Sequence, residues 1–113
     1  MTDNPLIADA ERRLIEQAGM PFPIVERPPV DVFGLAATSE SFPKDVPISL
    51  LCATQRDLSA PKVQEMLTAD ELEPIDAVLY LGWYYIADGH HRAVAARYRG
   101  DSTVPARVVD AGP

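Results

Sequence analysis

Apolar residues at Leu6, Ile7, Ala10, Leu14, Ile15 and Ala18 recur three and four positions apart, the spacing of one face of an α-helix. Asn4-Pro5 opens that helix well, because proline at a first helical position has a preset φ and no amide to leave unbonded, and Gly19 is a natural stop. From residue 20 to 47 the periodicity is broken by Pro21, Pro23, Pro28, Pro29, Pro43 and Pro47. That stretch predicts extended connections around one short strand, Val30 to Ala37. It reads as an arm that wraps the domain or reaches a second subunit.

The pattern tightens from Pro47. Ile48 to Leu51 predicts a short strand, and Ser59 an N-cap for a helix from Ala60 and Pro61 with Val63, Met66 and Leu67 inward. Thr68 and Glu71 have capping-box spacing and predict a further helical turn before Pro74. Ala77 to Leu81 and Trp83 to Ala87 are β-prone runs around Gly82, a hairpin or a kinked strand. Trp83, Tyr84 and Tyr85 alternate along it and suit core and sheet-edge packing better than base stacking. Asp88-Gly89 breaks the strand, His91 to Arg99 predicts a helix with small residues at Ala93, Ala95 and Ala96, Gly100 ends it, and Val104 to Val109 predicts a last strand. The class expected is α+β, a mixed sheet with packed helices. Residues 1–45 form an N-terminal helix and Pro-rich arm, and residues 46–113 the domain proper.

Composition narrows the partners. The chain of 113 residues carries a formal charge of −7, whereas a protein gripping duplex DNA needs a basic surface. A small ligand or a protein partner is favoured over DNA. The single cysteine, Cys52, lies in an apolar run, which suits a core thiol and excludes an intramolecular disulfide or a cysteine zinc site. The first residues have no basic stretch followed by an apolar one, and Ala77 to Ala87 is too short to cross a membrane, so a cytoplasmic location is expected.

Candidate chemistry concentrates at Tyr85-Ile86-Ala87-Asp88-Gly89-His90-His91-Arg92-Ala93, a strand, a glycine turn and a helix start. The first amides of a helix have no internal partner and its dipole favours anions there. Gly89 removes a Cβ from the approach, Arg92 can add a bidentate guanidinium, and His90 and His91 can donate hydrogen bonds, as cations beside a phosphate. Asp88-Gly89 serves equally well as a turn with an Asp cap, with both histidines and Arg92 as solvated helix residues. Asp88 and His90 are the nearest candidates for catalytic groups. Adjacent histidines with no partner four residues on do not make a metal site.

These segments in this order, Val46-Pro47-Ile48-Ser49-Leu50-Leu51, Pro61-Lys62-Val63-Gln64, Pro74-Ile75, Asp88-Gly89-His90-His91-Arg92 and Val104-Pro105-Ala106-Arg107-Val108-Val109, resemble the ParB/sulfiredoxin superfamily over residues 47 to 109. The resemblance implies a nucleotide phosphate cradle at Gly89, His90, His91 and Arg92, with ATP or CTP and Mg2+ as ligands. Lys62 matches a nucleotide-binding lysine of sulfiredoxins, and Thr54-Gln55-Arg56 occupies the place of a ParB-like loop beside the nucleotide; an ordinary polar loop explains it as well. The sulfiredoxin turn reads Gly-Cys-His-Arg, and His90 stands at its cysteine, which argues against sulfinic acid reduction. Three roles follow from the resemblance: phosphohydrolase or kinase, nucleotide-responsive adaptor or switch with a protein partner or second copy at the arm, and ParB-like DNA-binding or nuclease module.

Overall fold

Residues on the third and fourth strands alternate between two apolar layers, and that alternation organises the molecule. In a computed structural model, which describes residues 5–112, strand β4 (Trp83–Asp88) turns Tyr84 and Ile86 to one side and Tyr85 to the other. Strand β3 (Ile75–Tyr80) does the same with Ile75 and Ala77 against Val78. The two form an antiparallel hairpin closed by Leu81 (φ 50°) and Gly82 (φ 84°). Two successive positive φ values suit the right-handed twist of the strands they join.

Around this hairpin the sheet runs β1-β5-β3-β4-β2, with β1 at Phe42–Pro47, β2 at Leu51–Cys52 and β5 at Thr103–Asp110. The β1–β5 pair is antiparallel, and β3–β5 and β2–β4 are parallel. On the larger face lie helices α1 (Pro5–Ala18), α3 (Ala60–Leu67) and α4 (His90–Tyr98), over a core that includes Leu51, Val63, Ile75, Ile86, Val94 and Val108. The short helix α2 (Val32–Thr38) covers the opposite face, over Cys52, Val78, Tyr85 and Val109. Cys52 is buried there, and burial pushes its thiol pKa up, as suits a core thiol rather than a nucleophile. Among the described residues no helix is long and apolar enough to cross a membrane.

Four local expectations give way. The run Val30 to Ala37 contains α2 rather than a strand: the Asp31 side chain accepts from the Gly34 amide at 3.1 Å, and Val32, Leu35 and Ala36 then fall on one helical face against the sheet. Ile48–Leu50 is a 3-10 turn, which leaves only Leu51–Cys52 as strand. Thr68 starts no new helical turn. It caps the end of α3, its hydroxyl bonded back to the Glu65 carbonyl at 3.3 Å. Finally, β1 is a full strand despite Pro43 and Pro47, which an edge position tolerates because one side of its backbone has no ladder to complete.

Helix α1 ends where expected, with Gly19 at φ 66° and its amide on the Ile15 carbonyl; the role foreseen for Asn4 lies outside the described residues. Its apolar face is used differently. Only Ile15 is buried, while Leu6, Ile7 and Leu14 are 78%, 51% and 67% exposed. The helix rests on α3 through a polar bracket. Gln64 donates to the Ala8 carbonyl at 2.8 Å and to Glu11 at 3.0 Å, and accepts from Arg12 at 3.1 Å. Beyond it Phe22 enters the main core, and residues 23–25 lie along β2, with the Val25 amide on the Ala53 carbonyl and the Ala53 amide on the Pro23 carbonyl, both at 2.8 Å.

Replacing the Asp31 cap should show what holds α2. Asp31→Ala is expected to cost about 1 kcal/mol, a drop of a few degrees in Tm by thermal denaturation. An unchanged Tm would mean that packing of Val32 alone holds the helix.

Candidate functional site

Strand β4 delivers the chain to Asp88, and α4 begins two residues later. Gly89 joins them at φ 99°, in the left-handed region. A Cβ on Gly89 would lie 2.7 Å from Cγ2 of the fully buried Ile75 and 2.9 Å from Nη2 of Arg92. The glycine was expected to clear the way for a ligand. It is required first by backbone geometry and by packing. The first bond of α4 runs from the Ala93 amide to the Gly89 carbonyl at 3.0 Å, so the amides of His90, His91 and Arg92 have no acceptor within the helix. Ala93, Ala95 and Ala96 are fully buried and bring α4 close to α3 and the sheet. Gly100 (φ 82°) closes the helix, with the Gly100 amide on Arg97 and the Asp101 amide on Ala96, both at 3.0 Å.

The two histidines have a role that differs from the expected cationic donors. Nε2 of His90 accepts the Thr54 amide at 3.0 Å, while the Thr54 hydroxyl donates to the Ile86 carbonyl at 2.7 Å. Nε2 of His91 accepts the Ser59 amide at 2.9 Å. A nitrogen that accepts an amide carries no proton, so both rings are neutral with the proton on Nδ1. Burial, then neighbouring His91, lower the His90 pKa to about 4, with Asp88 opposing; burial and then Lys62 lower that of His91. Together the rings tie both ends of the loop from Thr54 to Ser59.

Arg92 folds back across Gly89, donating from Nη1 to the Pro74 carbonyl at 3.0 Å and from Nη2 to Asp88 at 3.2 Å. Two of its five N–H donors are thereby engaged. Arg92 and Asp88 share an open cleft of about 500 Å³ with Gly89, His90, His91, Lys62 and Gln55. The cleft therefore gathers all four phosphate-binding candidates, with Lys62 and Gln55, although His90 is only 4% exposed. Thr54 and Arg56 are not brought in. Thr54 is buried beneath the loop, and Arg56 points away to pair with Glu26 of the arm. Gln55 bonds the Asp57 carbonyl at 3.0 Å, which shapes the loop as well as the cleft.

Glu65 and Met66 also line the cleft, neither singled out from the sequence as a site residue. The signal was available, because they follow Lys62 by three and four positions on α3 and must share its face. The cleft thus sets Lys62 and Arg92 against Glu65 and Asp88. Among the described residues no group of three or more His, Cys, Asp or Glu side chains is placed to hold a metal ion. Glu65 and Asp88 are the carboxylates that line the cleft, and Asp88 is paired with Arg92.

Two measurements check this account. Gly89→Ala should destabilise the fold by about 1–3 kcal/mol from backbone strain and the clash with Ile75, read as a lower urea midpoint. Wild-type stability would contradict both. A histidine kept neutral in the fold but free to protonate when unfolded stabilises fully above about pH 6.5. For His90 that contribution, on the order of 3 kcal/mol, is lost as pH falls from 6.5 towards about 4. His90→Gln keeps an acceptor without a titrating ring, so it should flatten the fall in urea midpoint over that range; an unchanged slope would assign it to other groups.

No family model and no curated protein sequence matches the chain. Solved structures do. The crystal structure of sulfiredoxin from Arabidopsis thaliana superposes with a TM-score of 0.54 at 22% identity, over 61% of this chain and 85% of that one. That of the C-terminally truncated chromosome-partitioning protein ParB from Caulobacter crescentus, complexed with CTP-gamma-S, gives 0.52 at 23% identity, over 63% of this chain and 46% of that one. The present chain thus spans less than half of the ParB chain that it matches. The described residues, four α-helices and a five-stranded mixed sheet with a strand-glycine-helix turn at its end, have a ParB/sulfiredoxin-like fold.

Proposed function

We propose that the cleft at the start of α4 binds the phosphates of a nucleotide, ATP or CTP, with Mg2+ carried on the ligand. One observation carries this reading: His90, His91 and Arg92, whose amides have no helical acceptor, line one cleft with Lys62, and Arg92 has three donors beyond the two it uses on Pro74 and Asp88. The complex of the fold neighbour ParB with CTP-gamma-S supports it. The overall charge of −7 is no obstacle, because helix amides and two cations act at short range, whereas distant charges are screened. The same charge disfavours the DNA-binding or nuclease alternative.

Between phosphoryl transfer and a nucleotide-responsive adaptor, the hydrogen bonds favour the adaptor. Nε2 of each histidine is engaged by a backbone amide, which leaves His90 without that lone pair for a general base, and Asp88 is held in an ion pair with Arg92. The loop they hold is also tied to the N-terminal arm, through Ala53 and through the Arg56–Glu26 pair. Cleft occupancy can therefore be felt at the arm, where a protein partner or a second copy of the chain would engage.

Calorimetric titration with ATP, ADP, CTP and GTP, with and without Mg2+, tests the reading. One nucleotide should bind, Arg92→Ala should weaken it about tenfold or more, and Lys62→Ala by less, in proteins shown folded by circular dichroism. Equal loss or no loss in both variants would overturn the cradle. A change in oligomer size on adding nucleotide would support the adaptor role, and steady release of phosphate would support hydrolysis.

A further inference from the structure

A second hollow adjoins the cleft on the other side of the sheet end. It measures about 190 Å³ and is bounded by Phe33, Ala36 and Ala37 of α2 and by Asp76, Ala87 and Asp88. Ala87 and Asp88 also line the phosphate cleft, so the two spaces flank the same end of β4. Phe33, Ala36 and Ala37 stand at helical spacing on one face of α2, while Val32 is buried and anchors that helix to the sheet. The small Ala36 and Ala37 leave the Phe33 side chain, 57% exposed, as the principal apolar wall. Opposite it are two carboxylates held in place by arginines, Asp88 by Arg92 at 3.2 Å and Asp76 by Arg107 at 3.1 Å. An exposed ring beside oriented acceptors suits a flat heterocycle that carries N–H donors and a ribose.

We propose that Phe33 is a ligand-binding residue, a stacking platform for the nucleoside part of a nucleotide whose phosphates lie at the start of α4. This rests on the phosphate cradle and adds to it the part of the ligand that the cradle does not read. α2 is thereby a ligand-binding element as well as a cover for the second core.

The test compares ATP and CTP with inorganic tripolyphosphate, by calorimetry, on the full chain and on Phe33→Ala, Phe33→Trp and Arg92→Ala. Wild-type protein should bind the better nucleotide more tightly than tripolyphosphate. Phe33→Ala should weaken that nucleotide about tenfold or more, leave tripolyphosphate unchanged, and be rescued by Phe33→Trp. Equal nucleotide affinity in wild type and Phe33→Ala, with Arg92→Ala still impaired, overturns the role of Phe33 and leaves the cradle standing. Absence of binding by both nucleotide and tripolyphosphate in the wild type overturns both.

Discussion

The absence of room for a side chain at residue 89 governs the arrangement of this domain. A left-handed glycine lets β4 turn directly into α4, with Ile75 packed beneath it and the Arg92 guanidinium laid over it. The direction of α4 follows from that turn. So does the delivery of three helix amides, two histidine rings and an arginine to one end of the sheet. Packing of Ala93, Ala95 and Ala96 against the core then holds the helix in place.

Charge at this end of the molecule is more restrained than its basic residues suggest. Two neighbouring histidines at a helix start invite a picture of paired cations, yet each gives its Nε2 lone pair to a backbone amide. What remains for an anion is Lys62, part of Arg92 and the helix end, balanced by Glu65 and Asp88. With cations and carboxylates so nearly matched, the cleft carries little net field of its own.

The parts of the fold legible in the sequence were those with strong local signals. Gly82 between two alternating apolar runs marked the hairpin, Gly100 the end of α4, and Asp88-Gly89 the turn. Segments with conflicting signals were misread. Prolines hid β1, because the sequence does not reveal that this strand lies at an edge, and an apolar run between prolines concealed the cap that makes α2 helical. Residues 89 to 92 share one cleft as their contiguity in the sequence suggests, whereas the partners of His90 and His91 lie 36 and 32 residues away, at Thr54 and Ser59, and no local pattern connects them. The exposed stripe on α1 failed for a related reason: periodicity reports a helix face, not whether anything covers it.

The manner in which the sheet ends has a bearing on how the domain meets other proteins. At one border stands β1, interrupted by Pro43 and Pro47 and carrying Lys44; at the other, the backbone of residues 23–25 already occupies the hydrogen-bonding positions beside Ala53. Neither border offers a long row of vacant donors and acceptors to an incoming extended peptide. Association by β-augmentation is therefore discouraged at both margins, and a partner must recognise side chains on the helices and loops. Displacing the arm would change this at one margin only, uncovering backbone next to the loop that the two histidines hold.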